Sequence, residues 1–358
     1  MKKIILKNCR GFEIMSIMLN ELLSQTEVLN ACLAQNRRTV KEIAEIIKKG
    51  NISHIVTMAR GTSFNATLCF KYALELTAGI PVVTYTPSLT TVYKRGLKYD
   101  GSILFAISQS GMSTDTLEVV ASAKAKGCKI VGITNNKDSL LAKQSDYHLF
   151  LAAGEEKSVA ATKTFAAQLC VLDMIVAEIS GTSAIIKDIE KAGEKLSVIK
   201  TMSDEIDGAA KTVKDHNQFI ILSRGLTMGL SDELALKLKE CCYKFTVSYS
   251  SSEFIHGPLA LVGEKTGVIL LAPDGECRND FINIATRLNL LGAKIIAFSD
   301  IKDVLNISDV KIKMPSCTKW DANFVYAMAA QMFAEHMSVR LGLNPDSPRN
   351  LQKVTITR

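Results

Sequence analysis

The amino-acid sequence predicts an α/β protein made of two copies of one unit, each a mostly parallel five-stranded sheet flanked by helices. Its 358 residues suffice for about two domains of roughly 150 residues each. Short runs rich in Ile and Val alternate with longer amphipathic stretches, a pattern typical of parallel strands connected by helices. The chain also repeats itself, since Met58–Ser63 is echoed by Leu222–Thr227 and Gly127–Ile133 by Gly292–Phe298. These matches indicate an internal duplication.

Five short apolar runs of the first copy are its predicted strands, and two longer stretches are predicted helices. The runs are too short for helices, so we expect strands that are buried on both faces. The strands are predicted at His54–Met58, Pro81–Tyr85, Ser102–Ile107, Lys129–Ile133 and Tyr147–Leu151, and the helices at Asn65–Thr77 and Ser113–Ala125. Ligands of such sheets bind beyond the carboxyl ends of the strands, which makes the loops there the candidate functional segments.

Composition excludes several classes of protein. Hydrophobic residues make up 47% and charged residues 22% of the chain, as in ordinary globular proteins rather than disordered ones. The longest apolar stretch, Ala160–Ile179, is interrupted by Lys163 and Asp173, so we expect no membrane span and no membrane partner. The net charge of +7 is spread along the chain without an arginine–aromatic patch, which argues against nucleic acid. Nine cysteines without a C-x-x-C pair predict free thiols in a reducing cytoplasm.

The loop after the third predicted strand has the residues of an anion site. Residues 108–116 (SQSGMSTDT) contain five hydroxyls and one glycine just before a predicted helix. Free N–H groups of a helix N-terminus, together with short hydroxyl side chains, bind phosphate well. The loop lacks the lysine of a nucleotide-binding P-loop, and the chain has no G-x-G-x-x-G motif for a dinucleotide. An ordinary N-terminal helix cap is the alternative.

A second strand-to-helix turn lies at the same predicted edge. Gly61, Thr62 and Ser63 follow the first strand, and the two hydroxyls could reach the hydroxyls of a bound sugar. Alone, they would equally suit a helix cap.

The second copy carries different chemistry. Its loop at residues 273–276 (PDGE) is acidic and unsuited to a phosphate. Residues 231–242 are predicted to be helical with Ser231 as the N-cap, which places Glu233, Lys237 and Glu240 on one face. This face is either functional or merely a solvated charged stripe.

A histidine follows the acidic helix in the second copy. His256 precedes Gly257 and Pro258 at an apparent helix start, which is an unusual place for a core histidine. A lone histidine is nevertheless more often structural than catalytic.

Together these motifs resemble the isomerase half of glucosamine-6-phosphate synthases. The resemblance rests on residues 236–240 (LKLKE), 256–261 (HGPLAL), 108–111 (SQSG) and 348–355 (PRNLQKVT), and it extends from Met18 to Arg358. It implies two tandem sugar-isomerase (SIS) domains, each a flavodoxin-like three-layer sandwich. The predicted divisions are an N-terminal extension and helix at 1–35, SIS domains at 36–185 and 200–340, and a C-terminal active-site tail at 341–358. Nothing before residue 18 resembles the glutaminase domain of those synthases.

The resemblance also implies a role for each candidate residue. Glu240 would be the base that moves a proton between C1 and C2, His256 the ring-opening acid and base, and Lys353 a residue at the amino or carbonyl end. His256 would come from the neighbouring subunit, which implies a homodimer. Neither a metal nor a cofactor is expected. The implied substrate-binding residues are Thr62 and Ser63 near the sugar, Ser108, Gln109, Ser110 and Ser113 on the phosphate, and Val159 and Lys237.

Departures from the synthase pattern point to the direction of the reaction. Residues 110–115 (SGMSTD) and the tail around Lys353 are closer to stand-alone SIS-type glucosamine-6-phosphate deaminases, and Ala161 stands where synthases carry a serine. The predicted reaction therefore converts glucosamine 6-phosphate to fructose 6-phosphate and ammonia. The alternatives are deglycation of a fructosamine 6-phosphate, plain phosphosugar isomerisation, and a synthase supplied with ammonia by a partner. A non-catalytic sugar-phosphate sensor fits less well, because the Glu, His and Lys set is present.

Overall fold

The computed structural model describes residues 6–7, 13–263 and 266–353, which form two compact units. The N-terminal unit comprises residues 27–155 and 163–190 together with 352–353. The C-terminal unit comprises residues 156–162 and the described parts of 1–26 and 191–351. The predicted boundary at residue 35 falls inside the helix Gln25–Lys49. Each unit combines segments from separate parts of the chain. The divisions expected from the sequence therefore remain a prediction.

Twelve strands lie in the described ranges, two of them in a small antiparallel pair and ten in two larger sheets. The strands are β1 (Leu6–Lys7), β2 (Glu13–Ile14), β3 (His54–Met58), β4 (Val82–Thr84), β5 (Ser102–Ile107), β6 (Lys129–Thr134), β7 (Tyr147–Phe150), β8 (Gln218–Ser223), β9 (Phe245–Ser250), β10 (Thr266–Ala272), β11 (Lys294–Ser299) and β12 (Val310–Lys313).

Helices connect these strands and cover the two sheets. The α-helices are α1 (Ile17–Leu23), α2 (Gln25–Lys49), α3 (Gly61–Ala78), α4 (Ser88–Thr91), α5 (Thr114–Lys124), α6 (Leu140–Gln144), α7 (Lys163–Ser180), α8 (Ser183–Thr201), α9 (Ser203–Val213), α10 (Met228–Cys242), α11 (Ser251–Phe254), α12 (Arg278–Leu290), α13 (Lys302–Ile307) and α14 (Ala322–Arg340). Within the described ranges, every helix is too short or too polar to cross a membrane.

The two large sheets have the same topology, which confirms the predicted α/β fold and its duplication. The N-terminal sheet has the order β4-β3-β5-β6-β7 and the C-terminal sheet the order β9-β8-β10-β11-β12, with all neighbouring strands parallel. Strands β5 and β10 are buried along their whole length because helices pack on both faces. The expectation of burial on both faces is wrong for the edge strands, because Val83 and Thr84 of β4 are exposed and β7 is mostly half-buried.

Two helices begin earlier than the sequence predicts. Helix α3 begins at Gly61, so that Thr62 and Ser63 lie inside its first turn. Helix α10 begins at Met228 with Thr227 as its N-cap. Ser231 is therefore not the N-cap, and its Oγ donates a hydrogen bond back to the Met228 carbonyl oxygen at 2.7 Å.

Candidate active site

A tight turn connects β5 to α5 in the N-terminal unit and contains most of the predicted phosphate ligands. The Ser108 N–H donates to the Ile133 carbonyl oxygen (3.0 Å), and the Asn135 N–H donates to the Gln109 carbonyl oxygen (2.9 Å), which ties the turn to β6. Gly111 has a φ of +65°, and a Cβ there would lie 2.2 Å from Ser139 Oγ. Only glycine fits this position, so the turn has a defined shape before any ligand binds.

Two serine hydroxyls of this turn, those of Ser108 and Ser110, accept hydrogen bonds from the loop's own backbone. Ser108 Oγ accepts from the Gly111 N–H (3.2 Å) and Ser110 Oγ from the Met112 N–H (3.3 Å). Among the described residues, neither hydroxyl donates a hydrogen bond in return. Each O–H is therefore available to an acceptor such as a phosphate oxygen.

Ser113 behaves differently because its hydroxyl hydrogen is already engaged. Ser113 Oγ donates to Asp115 Oδ1 (2.6 Å), and Arg60 Nε donates to Asp115 Oδ2 (2.7 Å). Burial raises the pKa of the Asp115 carboxyl, but the hydrogen bonds from Ser113 and Arg60 outweigh burial, and the pKa is lowered overall. Ser113 can donate to a phosphate only by releasing Asp115.

The pair formed by Arg60 and Asp115 was not predicted as part of this site. The two residues lie 55 positions apart, and the pairing of β3 with β5 brings them together. The Asp115 side chain is 4% exposed and that of Arg60 55%. The available sequence signal was the Arg–Gly dipeptide at positions 60–61, which recurs at 224–225.

Three further predicted residues belong to the same unit. Ser63 is buried and its Oγ accepts a hydrogen bond from Gln168 Nε2 (2.9 Å) on α7. Thr62 is half-buried in the first turn of α3, and Lys353 is half-buried at the end of the described chain.

Helix α10 of the C-terminal unit places a buried lysine between two carboxylates. Lys237 Nζ lies 2.6 Å from Glu240 Oε2 and 3.5 Å from Glu233 Oε1. The Lys237 side chain is fully buried, whereas that of Glu240 is 23% exposed. The predicted common face is therefore present. The alternative of a solvated charged stripe is wrong, because Glu233 and Lys237 lie in the interior.

Electrostatics keep this lysine charged. Burial lowers the pKa of the Lys237 ammonium, but Glu233 and Glu240 raise it by more, and the net pKa lies above the ordinary value. A charged, fully buried ammonium is a donor rather than a base, and it lies against the partly exposed Glu240 carboxylate.

His256 and Val159 also belong to the C-terminal unit. His256 is exposed between α11 and a 3₁₀ turn at Pro258–Leu261, with its N–H donating to the Glu253 carbonyl oxygen (3.0 Å). Among the described residues, no hydrogen bond joins its ring to another group. The half-buried Val159 donates its N–H to the Asp346 carbonyl oxygen (3.1 Å).

The loop between β10 and α12, which corresponds to the serine-rich turn, is occupied by the protein's own carboxylates. Asp300 Oδ1 accepts from the Asp274 N–H (2.8 Å), and Asp274 Oδ1 accepts from the Gly275 N–H (2.9 Å). Arg278 binds the Asp274 carboxylate at 2.5 Å. This geometry agrees with the prediction that the second loop is unsuited to a phosphate.

The two similar parallel sheets define an α/β protein with tandem copies of one domain. The chain belongs to the SIS domain family, which matches residues 48–178 and 213–340. This confirms the predicted family and the tandem arrangement.

Within this family, the chain is similar to the isomerase part of known aminotransferases. It is 32% identical over 346 residues to the glutamine–fructose-6-phosphate aminotransferase (isomerizing) of Thermococcus kodakarensis, a match that covers 94% of this chain and 57% of that protein. The chain thus spans little more than half the length of this relative. The solved C-terminal domain of glucosamine-fructose-6-phosphate aminotransferase from Francisella tularensis superposes with a TM-score of 0.82 at 29% identity, covering 96% of this chain and 100% of that domain.

A solved glucosamine-6-phosphate deaminase from Thermotoga maritima shares the fold. Its TM-score is 0.72 at 24% identity, with 96% of this chain and 100% of that chain covered. At this identity the similarity establishes the fold alone.

Proposed function

We propose that this protein is an amino-sugar phosphate isomerase and deaminase that converts glucosamine 6-phosphate to fructose 6-phosphate and ammonia. The observation that carries the proposal is the partly exposed Glu240 carboxylate held by the buried Lys237 ammonium. A carboxylate that is fixed next to a cation and still accessible suits proton transfer at a carbon atom beside a carbonyl group.

The turn before α5 supports the choice of a phosphorylated substrate. The free O–H groups of Ser108 and Ser110 and the N-terminus of α5 would hold the phosphate dianion, with Gln109 and Ser113 beside them. Because the Asp115 carboxylate would repel a dianion, its neutralisation by Arg60 favours phosphate binding. Thr62 and Ser63 would lie near the sugar, and Val159 would contribute a further contact.

The chemical steps divide among the remaining residues. His256 would open the sugar ring, so that C1 becomes an aldehyde beside the C2 amine. Glu240 would remove the C2 proton and return it to C1, while a second proton passes from the amine nitrogen to the C1 oxygen, and the product is the imine of fructose 6-phosphate. Water then adds to the imine carbon and ammonia leaves, with Lys353 at this end of the substrate. We further propose that His256 acts across a homodimer, since its ring is exposed on its own subunit, and that the enzyme works in the cytoplasm.

A second candidate is the reverse assembly, in which ammonia is added to fructose 6-phosphate before isomerisation. The 32% identical relative from Thermococcus kodakarensis favours it, since that protein is an isomerizing aminotransferase. Both candidates use the same proton transfer and differ in the direction of the amine step.

The test is an incubation of purified protein with glucosamine 6-phosphate, followed by assays for ammonia and fructose 6-phosphate. We expect equal amounts of both products. Parallel incubations with fructose 6-phosphate plus ammonium, and with fructosamine 6-phosphates, separate the alternatives. Release of free amino acid from a fructosamine 6-phosphate, without ammonia from glucosamine 6-phosphate, would reject the deaminase.

A further inference from the structure

A buried row of amide side chains lies behind Lys237 in the C-terminal unit. Gln331 on α14 donates from Nε2 to Glu233 Oε1 at 3.3 Å, and its own Oε1 accepts from Gln25 Nε2 at 3.0 Å. Gln25, Gln331 and Glu233 are each at most 1% exposed. Buried polar side chains cost free energy unless they are hydrogen-bonded, so such a row at a helix–helix contact calls for a physical reason.

The direction of the hydrogen bonds provides that reason. Gln25 donates to the carbonyl oxygen of the Gln331 amide, which turns the NH₂ group of Gln331 towards Glu233. A carboxylate only accepts hydrogen bonds, so this amide orientation is the one that stabilises an ionised Glu233. Lys237 supplies a charged neighbour to the same oxygen, Oε1, at 3.5 Å.

Lys237 therefore has two carboxylates competing for it. Its Nζ lies nearer to Glu240 (2.6 Å) than to Glu233 (3.5 Å). Without the N–H from Gln331, Glu233 would lack part of its stabilisation and would draw the ammonium towards itself. The Glu240 carboxylate would then lose the cation that orients it.

We propose that Gln331 is a positioning residue, which holds Glu233 so that Lys237 stays on Glu240 and keeps that carboxylate ready for proton transfer. The catalytic part of this inference rests on the proposed function of Glu240. The contact itself can be tested whether or not that function is correct.

The kinetic test replaces Gln331 with Met, which has similar length but no N–H. We expect kcat to fall about tenfold with KM within twofold, because the phosphate ligands are elsewhere in the chain. The matched control is Ser338→Ala. Ser338 is also buried on α14, and its Oγ donates to the Cys241 carbonyl oxygen of α10 at 2.8 Å. An equal fall of kcat in both variants would mean general loosening of the two helices and would overturn the inference.

A double-mutant cycle shows whether Gln331 acts through Glu233. Because Glu233→Gln removes the competing carboxylate, we expect it to restore most of the lost kcat when it is combined with Gln331→Met. Losses that multiply would show independent roles and contradict the inference. Gln331→Leu, which also lacks the N–H, serves if Gln331→Met does not fold, and the same fall of kcat is expected.

Crystal structures of the wild type and of Gln331→Met give a readout that does not depend on turnover. We expect Lys237 to contact Glu240 in the wild type and to move to within about 3 Å of Glu233 in the variant. An unmoved Lys237 would overturn the inference even if the enzyme deaminates its substrate. Conversely, a wild type that releases no ammonia would reject the proposed function, while these structures would still decide the role of Gln331.

Discussion

The two units have the same sheet order but differ in the loop that follows the central strand. In the N-terminal unit, the turn after β5 presents the hydroxyls of Ser108 and Ser110. In the C-terminal unit, the loop after β10 is filled by the carboxylates of Asp274 and Asp300. Serine hydroxyls suit an external anion, whereas internal carboxylates already accept from the Asp274 and Gly275 N–H groups of the second loop. The two copies therefore share their sheet topology, but only the loop after β5 has groups suited to binding an external anion.

An arginine–aspartate pair is common to both units. Arg60 binds Asp115 at 2.7 Å, and Arg224 binds Asp280 at 2.9 Å. The pair is present even in the unit whose loop is filled with carboxylates. In both units it therefore connects the end of one strand, β3 or β8, to the helix after the central strand, α5 or α12. The units differ in burial, because the Asp115 side chain is 4% exposed and that of Asp280 is 43% exposed.

Helices α3 and α10, which follow the first strand of each large sheet, also differ, and here the charged residues belong to the C-terminal unit. Glu233, Lys237 and Glu240 lie on α10, and the positions 164 residues earlier on α3 are Cys69, Ala73 and Leu76. The candidate proton-transfer group thus belongs to one unit and the candidate phosphate turn to the other. Changes in each unit should consequently affect different measured quantities.

The largest expected effect is on the stability of the C-terminal unit. Lys237→Met removes the buried cation that lies between the Glu233 and Glu240 carboxylates, so we expect the free energy of unfolding to fall by about 3–5 kcal/mol. Urea unfolding measures this. Lys239→Met on the exposed face of the same helix is the control, with a change expected within about 0.5 kcal/mol. Equal losses in the two variants would show that the buried ion pairs contribute nothing specific.

A smaller effect is expected in the N-terminal unit, on substrate affinity. Ser110→Ala removes a hydroxyl donor from the turn, so KM for the phosphorylated sugar should rise about tenfold while kcat changes little. Ser113→Ala should raise KM less, because that hydroxyl hydrogen is committed to Asp115. Ser122→Ala, farther along α5, is the control. A KM unaffected by Ser110→Ala would remove the turn from the phosphate site.

The smallest effect is the pH dependence of the arginine–aspartate pairs. The folded-state pKa of Asp115 is lowered, so its stabilising contribution is present above the unfolded value of about 3.9 and is lost as the pH falls through the folded value. The difference in unfolding free energy between wild type and Asp115→Asn should shrink as the pH falls below about 4. Asp280→Asn in the more exposed pair should cost little at any pH. Identical pH profiles for the two variants would contradict the difference in burial.

Local pattern predicted much of this fold. The runs that became β3 and β5 coincide with the predicted strands, because both are short apolar runs, too short for buried helices. The common face of Glu233, Lys237 and Glu240 also followed from helical spacing. The first residues of helices were less well predicted. Thr227 and Ser231 are both suitable N-caps for α10, and local sequence does not distinguish them. The helix begins after Thr227 because of the backbone conformation that follows β8.

Burial and long-range pairing could not be predicted in the same way. A stripe of alternating charges on a helix has the same spacing whether it faces water or the interior. The burial of Lys237 depends on its surroundings, which include Gln331, 94 positions away on α14. Similarly, Arg60 meets Asp115 only because β3 pairs with β5. Such contacts depend on tertiary structure, which periodicity along one element does not encode.

The division of tasks between the units is tested most directly with Glu240→Gln, measured both for turnover of glucosamine 6-phosphate and for its dissociation constant. We predict that kcat falls by about 10²–10⁴-fold while the dissociation constant changes only a few-fold, with Glu253→Gln as an active control. A variant that keeps near-normal turnover, or one that loses sugar-phosphate binding altogether, would contradict the account.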